Sequence, residues 1–232
     1  MAQNVKANAG RGRTKSNSFL LETLRRLVKK GNGLAGLIIL AVIVVSCLAA
    51  PWIAPYEPTA IDLTNMYAKP SLQHLCGTDA VGRDVFTRLL YGGRFSLALG
   101  ASGALFSAIV GTVIGSVAGY YGGRTETVIM RILDVWASIP GQLLCIIISA
   151  VLGSGFFNTV LALAVGGVPG YARMTRGQIL SERSKEYIEA AMAMNCSDGS
   201  IMFRHILPNV ISPTIVMVTM EIGGTITAAA GL

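Results

Sequence analysis

The chain has 232 residues, of which 52% are hydrophobic and 13% are charged, with a formal net charge of +7 at pH 7. Globular domains carry about 25% charged residues, so this composition indicates a membrane protein. The positive charge does not indicate nucleic-acid binding, because the basic residues cluster at the ends of apolar runs rather than on one soluble face.

Cysteine and histidine spacing predicts neither a disulfide framework nor a metal site. The four cysteines lie in separate segments without a CxxC spacing. His74, Cys76 and Asp79 come nearest to a ligand set, but their spacing fits no strong template. We therefore expect no metal bound by this chain.

The N-terminal part predicts a cytoplasmic tail followed by a first membrane span. Within residues 1–30, Ser18 is placed to cap an amphipathic helix with a basic face, which we expect to lie on the anionic inner leaflet. Residues 31–56 carry no charge, and they predict the first span. A cleavable signal peptide is the alternative, but the long basic region before the run favours an uncleaved anchor. The basic N-terminus places residues 1–30 in the cytoplasm.

Residues 57–94 follow the first span and therefore predict an extracytoplasmic segment. Prolines interrupt any long helix there. The segment contains the sequence GTDAVGRD, which begins at Gly77. Thr78 or Asp79 is placed to cap a short amphipathic helix that includes Val85 and Leu89.

The remaining residues, 95–232, predict a membrane domain with four more spans. Phe95 to Gly123 is uncharged, and its glycines recur at intervals near four, which favours close helix packing in lipid. A short charged turn should follow, and the uncharged run 135–172 is long enough for two spans, with a kink at Pro140 and a turn at residues 153–158. The fifth span begins after Pro208, with interruptions at its internal proline and glycines.

Residues 185–208 form a polar segment between the apolar runs and predict two short helices joined by a turn. Asn195 is placed at the turn, because asparagine tolerates the left-handed conformation. Ser197 or Asp198 is expected to cap the second helix, and Pro208 to end it. One apolar face on an otherwise polar pair of helices predicts contact with a soluble partner protein.

The polar segment resembles a known motif. Glu189-Ala190-Ala191, followed by His205-Ile206-Leu207-Pro208, looks like the EAA loop through which ABC importer permeases dock on their ATPase, with Asn195 where the family usually has glycine. We call residues 185–208 the EAA loop. The stretch GTDxxGRD is similar to that of the second permease subunit of oligopeptide, dipeptide and nickel importers. The resemblance implies that the docking residues are Glu189, Ala190, Ala191, Asn195, Arg204, His205, Leu207 and Pro208, with Glu189 and the apolar face formed by Ile188, Ala190 and Ala191 in the ATPase cleft.

The resemblance also implies the architecture and the partners. The fold expected is an all-α polytopic bundle of the type I importer permease class, with five spans present and a sixth expected but missing. The partners expected are a related permease subunit, two ATPase subunits, an extracytoplasmic binding protein and the bilayer of the inner membrane. The chain has no GxxxxGK[ST] sequence, so we expect no cofactor in it, with ATP and Mg²⁺ bound by the ATPase subunits.

Glu221 is the single acidic residue in the fifth span, about 18 Å along the helix from Asn209 and therefore near mid-bilayer. An ionisable residue at that depth is costly and is a functional hypothesis by default. It either lines the transport pathway, facing a substrate amine or metal, or is protonated or hydrogen-bonded and holds helices together.

The function expected is import of dipeptides or oligopeptides. Import of nickel or a metal chelate is the alternative, with Glu221 as its local support. A membrane scaffold that binds a soluble partner without transport is a third hypothesis. A membrane enzyme is disfavoured, because no catalytic constellation occurs in the sequence.

Overall fold

A computed structural model describes residues 31–232, so the basic helix expected within residues 1–30 lies outside the described residues. Between residues 31 and 232 the chain is mostly helical and forms no β-strand, apart from a single bridge that pairs Thr78 with Asp84. Residues 54–84 contain only the 3-10 helix Leu63–Asn65. The helices are α1 (Gly31–Leu48), α2 (Ala50–Ile53), α3 (Val85–Tyr121), α4 (Gly123–Ala137), α5 (Gly141–Leu152), α6 (Phe156–Arg183), α7 (Glu186–Ala193), α8 (Asp198–Ser200) and α9 (Leu207–Ala230), with a π-helical turn at Ile201–Ile206 between the last two.

Three helices of the described part are long and apolar enough to cross a membrane, which confirms the predicted all-α membrane fold. They are α1, α3 and the continuous helix Asp198–Ala230. A fourth span is present if α4 and α5, which meet at an angle of 81°, cross together. The fourth of the five predicted spans corresponds to α6, which has 28 residues but does not meet the same criterion.

The chain divides into two compact units, residues 1–91 and 92–232. In the described part of the first unit, the GTDAVGRD stretch forms a tight turn organised by Asp79. Its Oδ1 accepts hydrogen bonds from the backbone N–H groups of Val81 and Arg83, both at 3.0 Å, and its Oδ2 accepts from Arg83 Nε at 2.8 Å. Burial acts to raise the pKa of Asp79, but these backbone and side-chain donors hold it well below its usual range.

Asp84, rather than Thr78 or Asp79, caps the helix that follows this turn. Its Oδ2 accepts from the N–H of Thr87 at 2.8 Å, and its Oδ1 lies 3.0 Å from His74 Nδ1. The predicted cap is wrong because Thr78 and Asp79 are used within the turn, where the Thr78 hydroxyl accepts from the N–H of Ala68 at 2.8 Å. The helix is also not short, since α3 continues for 37 residues without a break.

In the second unit, the glycines of α3 lie where other helices approach most closely. A Cβ at Gly111 would stand 2.4 Å from Tyr171 Cβ, and a Cβ at Gly115 would stand 2.4 Å from the carbonyl oxygen of Ala172. At Gly100 a Cβ would meet Ile226 of α9 at 2.5 Å. The predicted close packing is confirmed, because any larger side chain would force the helices apart.

The charged stretch after α3 differs from the prediction. Instead of a short turn it forms the 15-residue helix α4, which begins after Gly122 at φ +66°. The predicted kink at Pro140 is confirmed, because α4 ends at Ala137 and α5 begins at Gly141. The turn between α5 and α6 is also confirmed, and the side-chain amide of Asn158 donates to the carbonyl of Leu152 at 2.7 Å across it.

Candidate docking site

The EAA loop begins with α7 and turns at a residue with left-handed backbone conformation. Asn195 has φ +56°, as predicted from its sequence position. Asparagine adopts this conformation more readily than other residues with a Cβ, so it replaces the usual glycine at modest cost. The Ser197 hydroxyl then caps α8 by accepting from the N–H of Ser200 at 3.4 Å, which confirms one of the two predicted caps.

The inner face of the EAA loop packs against its own chain. Ile188 and Ala191 are buried, and with Ile201 and Ile206 they form a core that also contains Tyr120, Ile179 and Val210. These apolar side chains hold α7 against the π-helical turn and α6. The docking role of Ile188 and Ala191 stays a prediction.

The outer face of the EAA loop carries Glu189 and Ala190, which are both exposed. Two large apolar side chains of the EAA loop that the sequence did not assign to docking are also exposed, Met194 at 77% and Phe203 at 75%. Phe203 borders a groove with Val117 and Tyr121 of α3. Their sequence signal is weak, since Met194 ends the apolar run 190–194 and Phe203 follows Ile201 and Met202, so the pattern does not separate them from buried neighbours. Exposed apolar side chains beside charged ones are typical of a surface that another protein covers.

A polar network anchors the start of the EAA loop to the end of α6. The Glu182 carboxylate accepts from Lys185 Nζ at 2.6 Å, from Asn209 Nδ2 at 3.0 Å and from the Tyr187 hydroxyl. The hydrogen bond from Lys185 is the main reason that the pKa of Glu182 lies below its usual value. None of these four residues was predicted as a site residue, because none belongs to the EAA or ILP motifs.

A second set of contacts joins the EAA loop to the ends of α3 and α6. The Tyr120 hydroxyl donates to Asp198 Oδ1 at 2.7 Å, and Arg183 Nη1 donates to the carbonyl of Tyr120 at 2.7 Å. The Arg183 guanidinium also lies 5.7 Å from the centre of the Tyr120 ring. Tyr120 therefore links α8 to two long helices of the second unit.

Pro208 does not end the second helix as predicted, since the chain is helical from Asp198 to Ala230. A proline inside an α-helix lacks one donor and crowds the carbonyl four residues earlier. The π-helical turn at Ile201–Ile206 directly precedes it and is the local adjustment that lets the helix continue. Pro213 and the glycine pair of α9 likewise do not interrupt it.

The other predicted docking residues surround this π-helical turn. Arg204 is exposed, His205 and Leu207 are half-buried and Pro208 is exposed. The carbonyl of His205 accepts from Asn209 Nδ2 at 2.9 Å. The π-helical turn contacts α7, which brings Arg204 and His205 close to the start of the EAA loop.

Glu221 is half-buried on α9, and its Oε1 lies 4.0 Å from the position that a Cβ on Gly167 would take. Within residues 31–232 its carboxylate has no hydrogen-bond partner, although its backbone carbonyl accepts from Thr225 Oγ1 at 2.9 Å. No group of three metal-ligating side chains occurs in the same part of the chain. Both roles expected of Glu221, lining the pathway and holding helices together, stay predictions.

Residues 111–232, which include the whole EAA loop, match the family described as binding-protein-dependent transport system inner membrane component. The chain belongs to this family of importer permeases. Residues 18–70 of the permease match a second description, the N-terminal TM domain of oligopeptide transport permease C. Both matches confirm the resemblance drawn from the GTDxxGRD and EAA stretches.

The permease is also similar to curated proteins from several enterobacteria. It is 41% identical over 212 residues to the glutathione transport system permease protein GsiD of Escherichia coli O157:H7. The matched region covers 91% of this chain and 70% of that protein. It is 39% identical over 221 residues to the protein of the same name from Pectobacterium atrosepticum, covering 95% and 72% of the two chains.

These comparisons establish what kind of molecule the chain is. The permease is a multi-pass inner-membrane subunit of an ABC importer of the oligopeptide and dipeptide type, and it is not an enzyme. ATP hydrolysis in such an importer belongs to a separate subunit, and a binding protein and a paired permease complete it.

Proposed function

We propose that this permease imports small peptides of the size of glutathione. The observation that carries the proposal is the identity of about 40% to glutathione permeases along 91% of the chain. A peptide of that size carries an amine and carboxylates, and Glu221 offers one carboxylate within the predicted fifth span. Import of a metal chelate is the alternative, and it rests on the same residue.

The assembly is expected to contain this permease, a related permease, two ATPase subunits and an extracytoplasmic binding protein. The N-terminus lies in the cytoplasm, because basic residues mark the cytoplasmic ends of membrane helices. They occur before α1 and near the end of α6. The EAA loop is then on the side where ATP is available.

The ATPase contacts the outer face of the EAA loop, through Glu189 and Ala190 together with Met194 and Phe203. These four side chains are exposed, whereas the core beneath them is closed. A flexible methionine and an exposed aromatic residue are side chains that protein interfaces favour. Asn195, Arg204, His205, Leu207 and Pro208 keep the loop in the shape that presents this face.

Coupling follows from how firmly the EAA loop is attached. When ATP closes the ATPase subunits, the loop moves with them, and Tyr120 and Glu182 transmit that movement to α3 and α6. The helix Asp198–Ala230 transmits it to the level of Glu221. The bundle then opens outward to receive the peptide, and hydrolysis resets it.

The docking part of the proposal is tested by co-purification of the ATPase with the assembled transporter. Glu189→Arg should reduce the co-purified ATPase by about ten-fold, the effect of a change of about 1.4 kcal/mol in binding. The matched control is Glu57→Arg, the same charge reversal at an exposed residue of the predicted external segment. Equal retention of ATPase by both variants would show that the outer face of α7 is not the docking surface.

The substrate part is tested separately, by uptake of labelled glutathione into vesicles that contain the whole transporter. Unlabelled dipeptides and tripeptides should compete, and a nickel–histidine chelate should not. Competition by the chelate alone would favour the metal-chelate alternative. Co-purification without ATP-dependent uptake of any of these probes would contradict the peptide assignment and leave the docking surface intact.

A further inference from the structure

Helix α4 carries a stripe of exposed apolar side chains that the transport function does not explain. Val128, Ile132 and Val135 are 58%, 60% and 72% exposed. Because they are four and then three residues apart, they lie on one face of the helix. An exposed stripe of this kind on a helix needs an apolar surrounding.

The opposite side of α4 is already occupied by contacts to α6. Arg176 Nε donates to Glu126 Oε1 at 2.6 Å, and Arg173 Nη2 donates to Asp134 Oδ1 at 3.1 Å. Leu133, next to Asp134 in the chain, is buried. The apolar stripe therefore faces away from the helices of its own unit.

The spacing of the same two ion pairs agrees with a steep crossing of α4 and α6. Glu126 and Asp134 are separated by eight residues, which is about 12 Å along α4, whereas Arg173 and Arg176 are only about 4 to 5 Å apart along α6. The angle of 81° between α4 and α5 agrees with this crossing. If α6 runs through the membrane, α4 runs nearly along its surface, and α5, with 12 residues, is then too short to cross the membrane alone.

Two arginines of α4 border the apolar stripe. Arg124 and Arg131 are exposed and seven residues apart, so they share one side of the helix next to Val128 and Val135. Arg131 also borders the cavity that Glu126 and Asp134 line. Neither pairs with a carboxylate in the part of the chain that the structure describes, because Arg173 and Arg176 take the two acidic residues of α4. Free positive charges beside an exposed apolar face complement an anionic lipid surface.

We propose that α4 lies in the headgroup layer of the membrane, with its apolar stripe among the acyl chains and with Arg124 and Arg131 on phospholipid phosphates. α4 starts three residues after Tyr120, which contacts the EAA loop, so this is the membrane surface on the side of that loop. That this side is cytoplasmic rests on the proposed docking role. The ion pairs then fasten α6 to a helix that the membrane holds in place.

The test is photo-crosslinking in the assembled transporter in native membranes. A benzophenone amino acid replaces Ile132, and after irradiation the adducts are identified by mass spectrometry. We expect the mass of one phospholipid to be added at this position. The same probe at Ala190 is the control, because it should crosslink the ATPase if the docking proposal holds.

The arginines are tested in the same background. Arg124→Gln or Arg131→Gln should lower the share of phosphatidylglycerol among the lipid adducts by about five-fold for each arginine. As a control, Arg94→Gln lies outside α4 and should leave this share unchanged. An unchanged share in the α4 variants would remove the phosphate contacts from the proposal.

Each outcome at residue 132 decides the question. A crosslink to another protein subunit would show that the stripe is a protein interface, and an absence of any adduct would show that it faces water; both overturn the proposal. If the Ile132 variant does not assemble, the probe is placed at Val128 or Val135, which share the stripe. A lipid adduct at residue 132 without an ATPase crosslink at residue 190 would support the membrane contact and contradict the docking surface.

Discussion

The hydroxyl of Tyr120 donates to Asp198 Oδ1 at 2.7 Å, and it joins two residues that are 78 positions apart in the chain. Tyr120 is the penultimate residue of α3, and Asp198 is the first residue of α8. This hydrogen bond fastens the EAA loop to a helix that the loop does not adjoin in sequence.

Tyr120→Phe removes this hydrogen bond and keeps the ring. Because the acceptor is a carboxylate, we expect the loop to lose about 1.5 to 3 kcal/mol of local stability. Hydrogen exchange at residues 198–206 in the purified transporter should increase accordingly. Tyr121→Phe is the matched control, since Tyr121 is exposed and contacts Tyr120 only through the ring edge. Equal exchange in the two variants would contradict the role of the Tyr120 hydroxyl.

Asn195 should tolerate replacement by glycine and resist replacement by residues with branched side chains. Its φ of +56° costs a non-glycine residue about 1 to 2 kcal/mol. We expect Asn195→Gly to retain ATPase binding, Asn195→Ala to weaken it and Asn195→Val to weaken it most. The measurement is the amount of ATPase that co-purifies with each variant, and an order in which alanine exceeds glycine would be inconsistent with the left-handed turn.

Gly115 sets the distance between α3 and α6. Gly115→Ala should lower the melting temperature of the detergent-solubilised transporter, because the new Cβ would stand 2.4 Å from the Ala172 carbonyl oxygen and 2.9 Å from Thr175 Cβ. Overpacking of this kind costs about 1 to 3 kcal/mol. Gly223→Ala is the control, since a Cβ there meets nothing within 4 Å. We expect its melting temperature to be unchanged or slightly higher.

The Glu182 network should make the attachment of the EAA loop sensitive to acid. The hydrogen bond from Lys185 lowers the pKa of Glu182 from its ordinary value of 4.5. A carboxyl group whose pKa is lower in the folded protein stabilises the fold above about pH 4.5, and this stabilisation is lost as the pH falls through the folded pKa.

The measurement for Glu182 is thermal stability between pH 7 and pH 3.5. We expect Glu182→Gln to be less stable than the parent at pH 7, and the difference to narrow at the acidic end. Glu186→Gln is the control, because Glu186 is exposed on the adjacent helix. A difference that is constant with pH would mean that the charge of Glu182 does not contribute.

Glu221→Gln tests the pathway role of the intramembrane carboxylate. The substitution preserves shape and removes the charge, so we expect slower peptide uptake with normal membrane insertion and normal ATPase co-purification. Rescue of the rate by Glu221→Asp would support a requirement for the carboxylate. Uptake kinetics equal to those of the parent would rule the pathway role out.

Local rules predicted much of this structure. Left-handed backbone at Asn195, the cap at Ser197, the kink near Pro140 and the contacts at Gly111 and Gly115 all follow from the chemistry of single residues and their spacing. What the sequence did not predict depends on long-range contacts. Ile188 and Ala191 are apolar residues on one face of α7, which is the pattern expected of a docking face. That they are buried follows only from their packing against Tyr120 and Ile179, which are distant in the sequence.

Some errors came from signals that compete. A proline usually ends a helix, yet the helix continues through Pro208 because a π-helical turn before it compensates for the missing N–H donor. Nothing in the sequence marks such a turn. The segment after α3 was predicted as a charged turn from Arg124, Glu126 and Asp134, because only a few apolar residues separate these charges. Only the pairs with Arg173 and Arg176 show that the charges belong to one face of a helix.

The uninterrupted helix from Asp198 to Ala230 has a mechanical consequence. Asp198 and Glu221 are separated by about 35 Å along its axis. A helix of this length acts as a lever, so a tilt of only about 10° at the end held by Tyr120 would displace the Glu221 carboxylate by about 6 Å. A displacement of that size is comparable to the width of a peptide backbone. A rotation too small to disturb the packing near Asp198 would therefore be enough to open or close a passage near Glu221.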